Sequence, residues 1–401
     1  MSPTSEPLTL DDDFIQNAHE IAASIREATP VRFVVLPGGL PVWLVTGYEE
    51  ARAAMTDPRL SSHRVFDRLE RLRLGEGEPS RFSEDLALNL LNLDPPDHTR
   101  LRRLVTKVFT AGAVARLRPR VEHIADELLD AMAGRDEVDL LHEYAYPLPI
   151  RVICELLGIP YEDRDEFIAW SHTMVSLTTP DEIGAASMKM ADYLGRLVEV
   201  KRAEPAADLL TELVRVSDGG TGFSRPELIS TVLVLLTGGF ETTVNLISSG
   251  MRALLAHPDQ LALLRADRTL LPQAIEELLR YETPNNLSSP RYTTEPVELG
   301  GVTIPAGQFV MVSWLAANRD GSRFPDPERL DITRPVGGHL AFGHGIHYCV
   351  GAPLARLEGE IAFGRLLDRF AHIEPVAEAE RPRWRYSTSM HGLESLVLRM
   401  R

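Results

Sequence analysis

The amino-acid sequence predicts a mainly α-helical protein with small β-sheets, in the α+β class. Three observations support this prediction. Apolar residues recur at helical spacing through most of the 401 residues. Strand patterns are confined to residues 31–47 and 297–313, and one helix, at 224–257, is long enough to cross a whole domain. Since no stretch rich in Pro, Gly or Ser divides the chain, we expect a single domain over residues 1–401.

The two strand regions combine β-branched residues with turn signals. The segment VRFVVLPGGLPVWLVTG (31–47) predicts a hairpin around its Pro-Gly-Gly turn. The segment VELGGVTIPAGQFVMVS (297–313) predicts short strands separated by Gly-Gly and Pro-Ala-Gly turns. Both segments are expected to belong to a small β region.

The long helix has clear start and stop signals. Ser224-Arg225-Pro226-Glu227 forms a capping box, and Pro258 follows the last helical position, at His257. The helix therefore spans about 33 residues, or about 50 Å. Its middle carries TGGFETT (237–243), and each glycine weakens a helix interior by about 1 kcal/mol. This section predicts either a close crossing with another helix or a groove whose polar groups face a ligand.

Composition and charge exclude several classes of protein. The net charge of −16 disfavours general nucleic-acid binding. The first 30 residues lack the apolar run of a signal peptide, and no run approaches the roughly 18 apolar residues that span a membrane. The two cysteines lie far apart, so a disulfide framework is not expected. We therefore expect a soluble, cytoplasmic protein with no nucleic-acid or membrane partner.

One cysteine, Cys349, occupies an unusual position. The stretch FGHGIHYCVGAPLARLE (342–358) surrounds it with glycines, which let a backbone bend tightly or pass close to a flat group. Pro353 suits the first turn of a helix that continues to about residue 370. A cysteine just before a helix N-terminus is stabilised as a thiolate by the helix dipole. The other cysteine, Cys154, is expected to be a buried, inert thiol.

The possible roles of Cys349 differ in the number of further residues that they require. A zinc site requires further Cys or His ligands at short spacing, and a c-type haem requires a second Cys. A catalytic thiolate would use a His base, such as His347 two residues earlier. An axial ligand to haem iron needs one thiolate alone. A buried, inert thiol stays the alternative for any single cysteine.

The spacing Phe342-Gly343-x-Gly345-x-x-x-Cys349-x-Gly351 resembles the haem-binding loop of the cytochrome P450 family, in particular soluble bacterial members that oxidise macrolides and other polyketides. The resemblance implies the P450 fold, with the long helix over a buried haem b (iron protoporphyrin IX). It implies that Cys349, in the loop and helix of 342–370, is the axial ligand of the haem iron. It further implies that Phe342, Gly343 and Gly351 contact the haem.

The middle of the long helix resembles the family's oxygen-activation motif. Gly238 and Gly239 match its oxygen groove, and Glu241 and Thr242 match the acid and alcohol that deliver protons. Gly238 stands where the family usually has Ala. Phe240 stands where His is common in this class, and it would add an apolar wall to the pocket.

Two sets of charged residues complete the resemblance. Glu277 and Arg280 resemble the family's Glu-x-x-Arg pair, and Arg334 matches the second arginine of that structural network. Four basic residues resemble the ligands of the haem propionates, since cations bind carboxylates strongly. They are His98, Arg102, Arg291 and His347.

The resemblance implies a monooxygenase that inserts one atom of O2 into a hydrophobic small molecule by hydroxylation or epoxidation. The expected substrate is a macrolide or other polyketide of secondary metabolism. Electrons would come from a ferredoxin and an NAD(P)H-dependent ferredoxin reductase. The basic segment LRRLVTKVFTAGAVARLRPR (101–120) has no acidic residue and is either a solvated helical face or the docking surface for that ferredoxin.

Two alternatives remain open at this point. One is a steroid or terpenoid hydroxylase of the same family, and the other is a haem-binding sensor without catalysis. The Glu241-Thr242 pair argues against the sensor. By position, the residues expected to line the substrate pocket are Leu93, Leu177, Val234, Phe240, Asn285, Asn286, Leu287 and Met390.

Overall fold

The structure is a computed structural model that describes residues 7–63, 65–74, 81–175, 178–218, 222–335, 337–376 and 382–401. These residues form two compact units, each assembled from separate stretches of the chain. The mixed unit, which contains every strand found in the described ranges, comprises the described residues of Met1–Ser61, Val121–Leu148 and Thr242–Arg401. The helical unit comprises those of Ser62–Arg120 and Pro149–Glu241. A single domain over the whole chain stays a prediction.

The mixed unit contains three sheets. The largest has the strand order β1-β2-β3-β9-β6-β4, a second has the order β10-β11-β5, and the third pairs β7 with β8. The strands are β1 (Leu8–Thr9), β2 (Val31–Val35), β3 (Pro41–Val45), β4 (Leu60–Ser61), β5 (Glu137–Asp139), β6 (Arg291–Thr293), β7 (Val297–Leu299), β8 (Val302–Ile304), β9 (Phe309–Val312), β10 (Ile373–Pro375) and β11 (Val397–Met400).

Both strand regions predicted from the sequence are confirmed. The hairpin is the antiparallel pair β2 and β3, with Val31 opposite Val45 and Val35 opposite Pro41. The second region forms the antiparallel pair β7 and β8, followed by β9, which runs parallel to β3. The other six strands were missed, because segments of two to four residues are too short to show a period of two.

Strand β3 is buried on both faces. Trp43 and Val45 enter one apolar cluster, whereas Val42 and Leu44 enter another. Burial on both faces explains why this strand is a continuous apolar run rather than an alternating one.

The described α-helices follow in chain order. They are α1 (Asp13–Gln16), α2 (Ala18–Ala28), α3 (Tyr48–Thr56), α4 (Val65–Leu74), α5 (Glu84–Ala87), α6 (Asp97–Val108), α7 (Ala111–Ala115), α8 (Arg118–Met132), α9 (Pro147–Leu157), α10 (Arg164–Val175), α11 (Pro180–Ala203), α12 (Leu209–Asp218), α13 (Arg225–Ala256), α14 (Pro258–Ala266), α15 (Leu271–Tyr281), α16 (Trp314–Ala317) and α17 (Ala352–Arg369).

The predicted long helix is confirmed as α13, which continues through the TGGFETT stretch. Its capping box is reciprocal. The Ser224 backbone N–H donates to Glu227 Oε2 at 2.8 Å, and the Glu227 N–H donates to Ser224 Oγ at 3.4 Å. By length and composition α13 could cross a membrane, but 67% of its most apolar window is buried inside the protein. This burial is typical of a core helix.

Candidate functional site

Cys349 lies in a tight loop that its own backbone closes. Its N–H donates to the carbonyl of Phe342 at 2.9 Å, and its side chain is half-buried. Gly343 and Gly345 both have φ of +73°, a conformation that residues with a side chain rarely adopt. A Cβ on Gly343 would find no atom nearer than His347 O at 3.8 Å, so the backbone is open to close approach there.

The loop leads directly into α17. Gly351 is the N-cap residue, with an ordinary φ of −81°, and Pro353 lies in the first turn. The dipole of α17 therefore stabilises negative charge on the Cys349 sulfur. A thiolate at this position, in a loop whose backbone is open at Gly343, fits the ligation of a haem iron.

A charged cluster supports the same loop. The guanidinium of Arg356 lies 4.5 Å from the centre of the Phe342 ring and donates to Glu276 at 2.6 and 2.9 Å. His339 Nε2 lies 3.0 Å from the same carboxylate. Although burial opposes ionisation, these partners lower the pKa of Glu276 to about 2. The sequence contains no signal for this cluster, because its members lie on separate elements.

The middle of α13 presents one face that its neighbours leave uncovered. Val234, Thr237 and Thr242 are half-buried and Gly238 is exposed, although most of the helix is buried. Positions 234, 238 and 242 are each four residues apart and share one side of the helix. A Cβ on Gly238 would meet no atom within 4 Å. This face therefore has room for a ligand.

Gly239, the adjacent residue, is needed for a different reason, namely the close approach of another helix. A Cβ on Gly239 would lie 2.6 Å from Cδ1 and 2.9 Å from Cγ1 of Ile153, on α9. Gly239 thus allows α9 to cross α13 closely. The predicted close crossing is therefore present at Gly239, which corrects the expectation of an open groove at that residue. The groove at Gly238 stays a prediction.

The pocket role expected for Phe240 also needs correction. Its side chain is fully buried, and its ring packs against Phe167 with 6.3 Å between ring centres. Two residues along a helix from Gly238, it points to the opposite side. Phe240 therefore belongs to the apolar core of the helical unit.

Glu241 is buried, and its Oε1 lies 3.8 Å from Nε2 of His172 on α10. Thr242, the next residue, is half-buried on the uncovered face of α13. The predicted acid and alcohol are thus adjacent but differ in exposure.

A second acidic group near this motif was not predicted from the sequence. Glu358, on α17, is completely buried, and burial raises its pKa well above the ordinary value, partly offset by Thr243. Burial therefore favours the protonated form of this carboxyl. In the sequence Glu358 is one of several acids in a helical pattern, so only its burial distinguishes it.

The three predicted members of the structural network lie together, in the mixed unit. Arg280 donates to Glu277 through Nε and a terminal nitrogen, each at 2.8 Å, and neither side chain is exposed. Arg334 Nε donates to Glu277 Oε1 at 3.3 Å. Three backbone carbonyls take the remaining N–H groups of Arg280, those of Asn318, Pro327 and Arg329.

The four basic candidates occupy three places. His98, which is buried, and Arg102, which is half-buried, share one face of α6 in the helical unit. In the mixed unit, Arg291 is a buried residue of β6 that donates to the carbonyl of Leu60 at 3.3 Å. His347 ends a 3-10 helix (Gly345–His347) in the cysteine loop.

Four predicted pocket residues lie on two paired segments of the mixed unit. Asn285 and Met390 form a β-bridge, and the Asn286 N–H donates to the Ser389 carbonyl at 2.8 Å. The amide oxygen of Asn286 accepts from Ser313 Oγ, so this side chain is engaged within the protein. Leu287 is buried.

The remaining pocket candidates belong to the helical unit. Leu93 is buried, and Val234 is half-buried on the uncovered face of α13. Leu177 lies outside the described residues.

Comparisons with known proteins agree with this architecture. The family model for cytochrome P450 matches residues 174–387. Cytochrome P450 107B1 of Saccharopolyspora erythraea is 50% identical over 98% of this chain and 97% of the relative. Vitamin D(3) 25-hydroxylase of Pseudonocardia autotrophica is 45% identical over 96% of this chain and 94% of the relative. A solved structure of the P450 monooxygenase TamI with tirandamycin C is 48% identical, with a TM-score of 0.91 and coverage of 98% of this chain and 100% of that chain.

The chain belongs to the cytochrome P450 family. It is an oxidoreductase of the monooxygenase class, whose members use haem, O2 and redox partners to act on small molecules.

Proposed function

We propose that this chain is a cytoplasmic haem-thiolate monooxygenase that hydroxylates or epoxidises a macrolide or other polyketide in secondary metabolism. The observation that carries the proposal is the loop of Cys349, which places a half-buried thiol just before the N-terminus of α17, beside backbone that is open at Gly343. Relatives of this chain act on macrolides and polyketides, which supports this substrate class.

Cys349 would hold the iron of haem b through its thiolate, and Phe342, Gly343 and Gly351 would contact the haem. When bound, the haem supplies the activation of O2. His98, Arg102, Arg291 and His347 would bind the two propionates through charge-assisted hydrogen bonds.

The chain's own residues would manage protons. Thr242 lies on the uncovered face of α13, where its hydroxyl can order water, and Gly238 leaves room for O2 beside it. Glu241 would pass protons to that water as a general acid. Glu358, whose pKa is raised by burial, would act as a second, buried proton source close to Thr243.

The proposed pocket is mainly apolar with few polar groups, as ligand pockets commonly are. Val234, Asn285 and Met390 retain exposed surface that a substrate can cover. The other proposed members of this pocket are Leu93, Leu177, Asn286 and Leu287.

A ferredoxin, reduced by an NAD(P)H-dependent reductase, would supply the electrons. Arg103, Lys107, Arg116 and Arg118 are exposed on one basic segment of an otherwise acidic protein. An acidic partner would be steered to this segment. Arg120 is already paired with Glu155 at 2.5 Å and contributes less.

The proposal is tested by following the haem Soret band of the purified protein. The wild type should give the thiolate spectrum of the CO complex, and Cys349→Ser should lose it. Titration with macrolides and linear polyketides should shift the ferric band toward high spin, because substrate displaces water. A thiolate spectrum with no turnover under any donor would favour the sensor without catalysis.

A second candidate substrate class is steroid-like or terpenoid, since a relative at 45% identity is named a vitamin D(3) 25-hydroxylase. The same titration separates the two classes. A high-spin shift with steroids or terpenoids alone would replace the polyketide assignment and leave the chemistry unchanged.

A further inference from the structure

A buried cluster of charged and polar side chains surrounds Glu282, the residue after α15. Its Oε2 lies 3.2 Å from Nε2 of His19 and 3.2 Å from Nε2 of His391. Its Oε1 accepts from Arg252 at 2.6 Å, and Arg319 lies 3.9 Å away. The carboxylate is almost completely buried. The motifs that resemble those of the family contain none of these residues.

Two histidines and one carboxylate within 4.8 Å of one another could suit a metal ion by spacing alone. The surrounding charge argues against this use. The Glu282 carboxylate is already neutralised by Arg252, and Arg319 adds a second positive charge nearby. A divalent cation would be repelled by both guanidiniums. We therefore interpret the cluster as a hydrogen-bonded junction.

The protonation states of the cluster follow from burial. Burial, followed by the charge of Arg319, lowers the pKa of His19 to about 3, and burial lowers that of His391. Burial opposes ionisation of Glu282, but the bonds from both histidines hold its pKa well below the usual range. At neutral pH two neutral imidazoles therefore face an ionised carboxylate. Each Nε2 must carry the proton and donate.

His391 joins this junction to the proposed substrate wall. Its backbone N–H donates to the Pro284 carbonyl at 2.9 Å, and the bridge between Asn285 and Met390 follows. Segments 284–287 and 389–391 thus run side by side, and Glu282 lies two residues before the first of them. The side chain and the backbone of His391 both hold the second segment against the first.

Residues at both ends of α1 contact the C-terminal loop that contains His391. Gln16 exchanges two hydrogen bonds with the backbone of Trp384, at 2.8 and 3.1 Å. The Trp384 ring stacks on His391 with 3.7 Å between ring centres, and Tyr386 donates to Asp12 at 2.6 Å. The position of the C-terminal loop therefore depends on contacts with residues near the start of the chain.

We propose that His391, Glu282 and His19 form a positioning clamp that fixes the spacing of segments 284–287 and 389–391 and thereby determines substrate specificity. The clamp rests on the proposed function, because these segments are its proposed substrate wall. Its ligand is the same large, apolar substrate, which contacts the exposed surfaces of Asn285 and Met390. None of the three clamp residues touches the reacting atoms.

The test compares His391→Leu, which removes the donor, with His391→Gln, whose amide can still donate to Glu282. His372→Leu, at an exposed histidine of the same C-terminal region, is the matched control. We expect His391→Leu to weaken substrate binding on the order of 10-fold in the spin-shift titration and to broaden the product mixture. KM should rise more than kcat falls. His391→Gln should restore most of the binding, and His372→Leu should match the wild type.

Hydrogen–deuterium exchange of the same variants tests the clamp without any substrate. Amides of segments 284–287 and 389–391 should exchange faster in His391→Leu and near the wild-type rate in His391→Gln. Unchanged exchange in His391→Leu would overturn the clamp, whatever the substrate. Faster exchange with unchanged binding and products would overturn its role in specificity. Loss of the thiolate spectrum in the wild type would instead reject the proposed function, leaving the exchange result to decide the clamp.

Discussion

The mixed unit and the helical unit stabilise their interiors by different means. In the mixed unit, the buried carboxylates of Glu277 and Glu282 each bind two or more basic side chains. The partly buried carboxylate of Glu276 binds two more, His339 and Arg356. In the described part of the helical unit, Lys201 and Asp208 form the well-buried pair, at 2.5 Å, and the other ion pairs are more exposed. The mixed unit, which contains the cysteine loop, is therefore stabilised in part by directional charge networks. The helical unit depends mainly on apolar packing and close helix crossings.

Glu277→Gln should have the largest effect on this comparison. It leaves Arg280 and Arg334 without their buried counter-charge, and breaking such a pair destabilises by about 3–5 kcal/mol. The free energy of unfolding in urea measures the loss. The control is Glu212→Gln, which removes an exposed pair with Arg215 at the same i, i+3 spacing in the helical unit. That pair should contribute about 0–1 kcal/mol. Equal losses in both variants would contradict the comparison.

Substitutions at Gly238 and Gly239 test the contribution of close helix packing to the stability of the helical unit. Gly239→Ala forces a Cβ against Ile153 and should destabilise by about 1–3 kcal/mol, whereas Gly238→Ala meets open space and should stabilise by up to about 1 kcal/mol. Chemical denaturation measures both. Ile153→Val removes the Cδ1 atom and should partly rescue Gly239→Ala in a double-mutant cycle. A destabilised Gly238→Ala would show that the uncovered face of α13 is misassigned.

The buried histidines of the mixed unit predict a pH dependence. His19 and His391 have lowered pKa values when folded, so the unfolded chain binds more protons below its histidine pKa of about 6.5. Stability should therefore fall as the pH falls from 6.5, by about 1–2 kcal/mol for His19 at pH 5. Urea unfolding at pH 5 and 7 measures the change. His19→Gln should reduce the slope of the unfolding free energy against pH, and an unchanged slope would contradict the assignment.

Reversing exposed charges of the helical unit should have the smallest effect on stability. It should change only the rate at which the protein is reduced. Charge reversal of Arg103, Lys107 and Arg116 should slow reduction by an acidic ferredoxin on the order of 10-fold at low salt, with little change in stability. Stopped-flow reduction monitored under CO measures the rate. Arg383→Glu, on the mixed unit, is the control. An unchanged rate at low salt would remove the docking role, and a difference that persists at high salt would exclude electrostatic steering.

Local patterns determined much of the architecture. The bounds of α13 followed from a capping box and a proline, the hairpin of β2 and β3 from its turn, and the cysteine loop from glycine spacing. These features are set by residues within a few positions of one another, so conformational preference alone is enough to identify them. The resemblance to a known family then indicated the candidate cofactor residues.

Other features were decided only by the tertiary structure. Gly238 and Gly239 are neighbours with the same intrinsic preference, yet Ile153 on another helix gives them different roles. Glu358 differs from the other acids of its helix only by complete burial. The energies of burial, of charge pairing and of short strands depend on partners distant in the sequence. His19 lies 263 positions from Glu282 and His391 lies 109 positions from it, so no local pattern could bring these three side chains together.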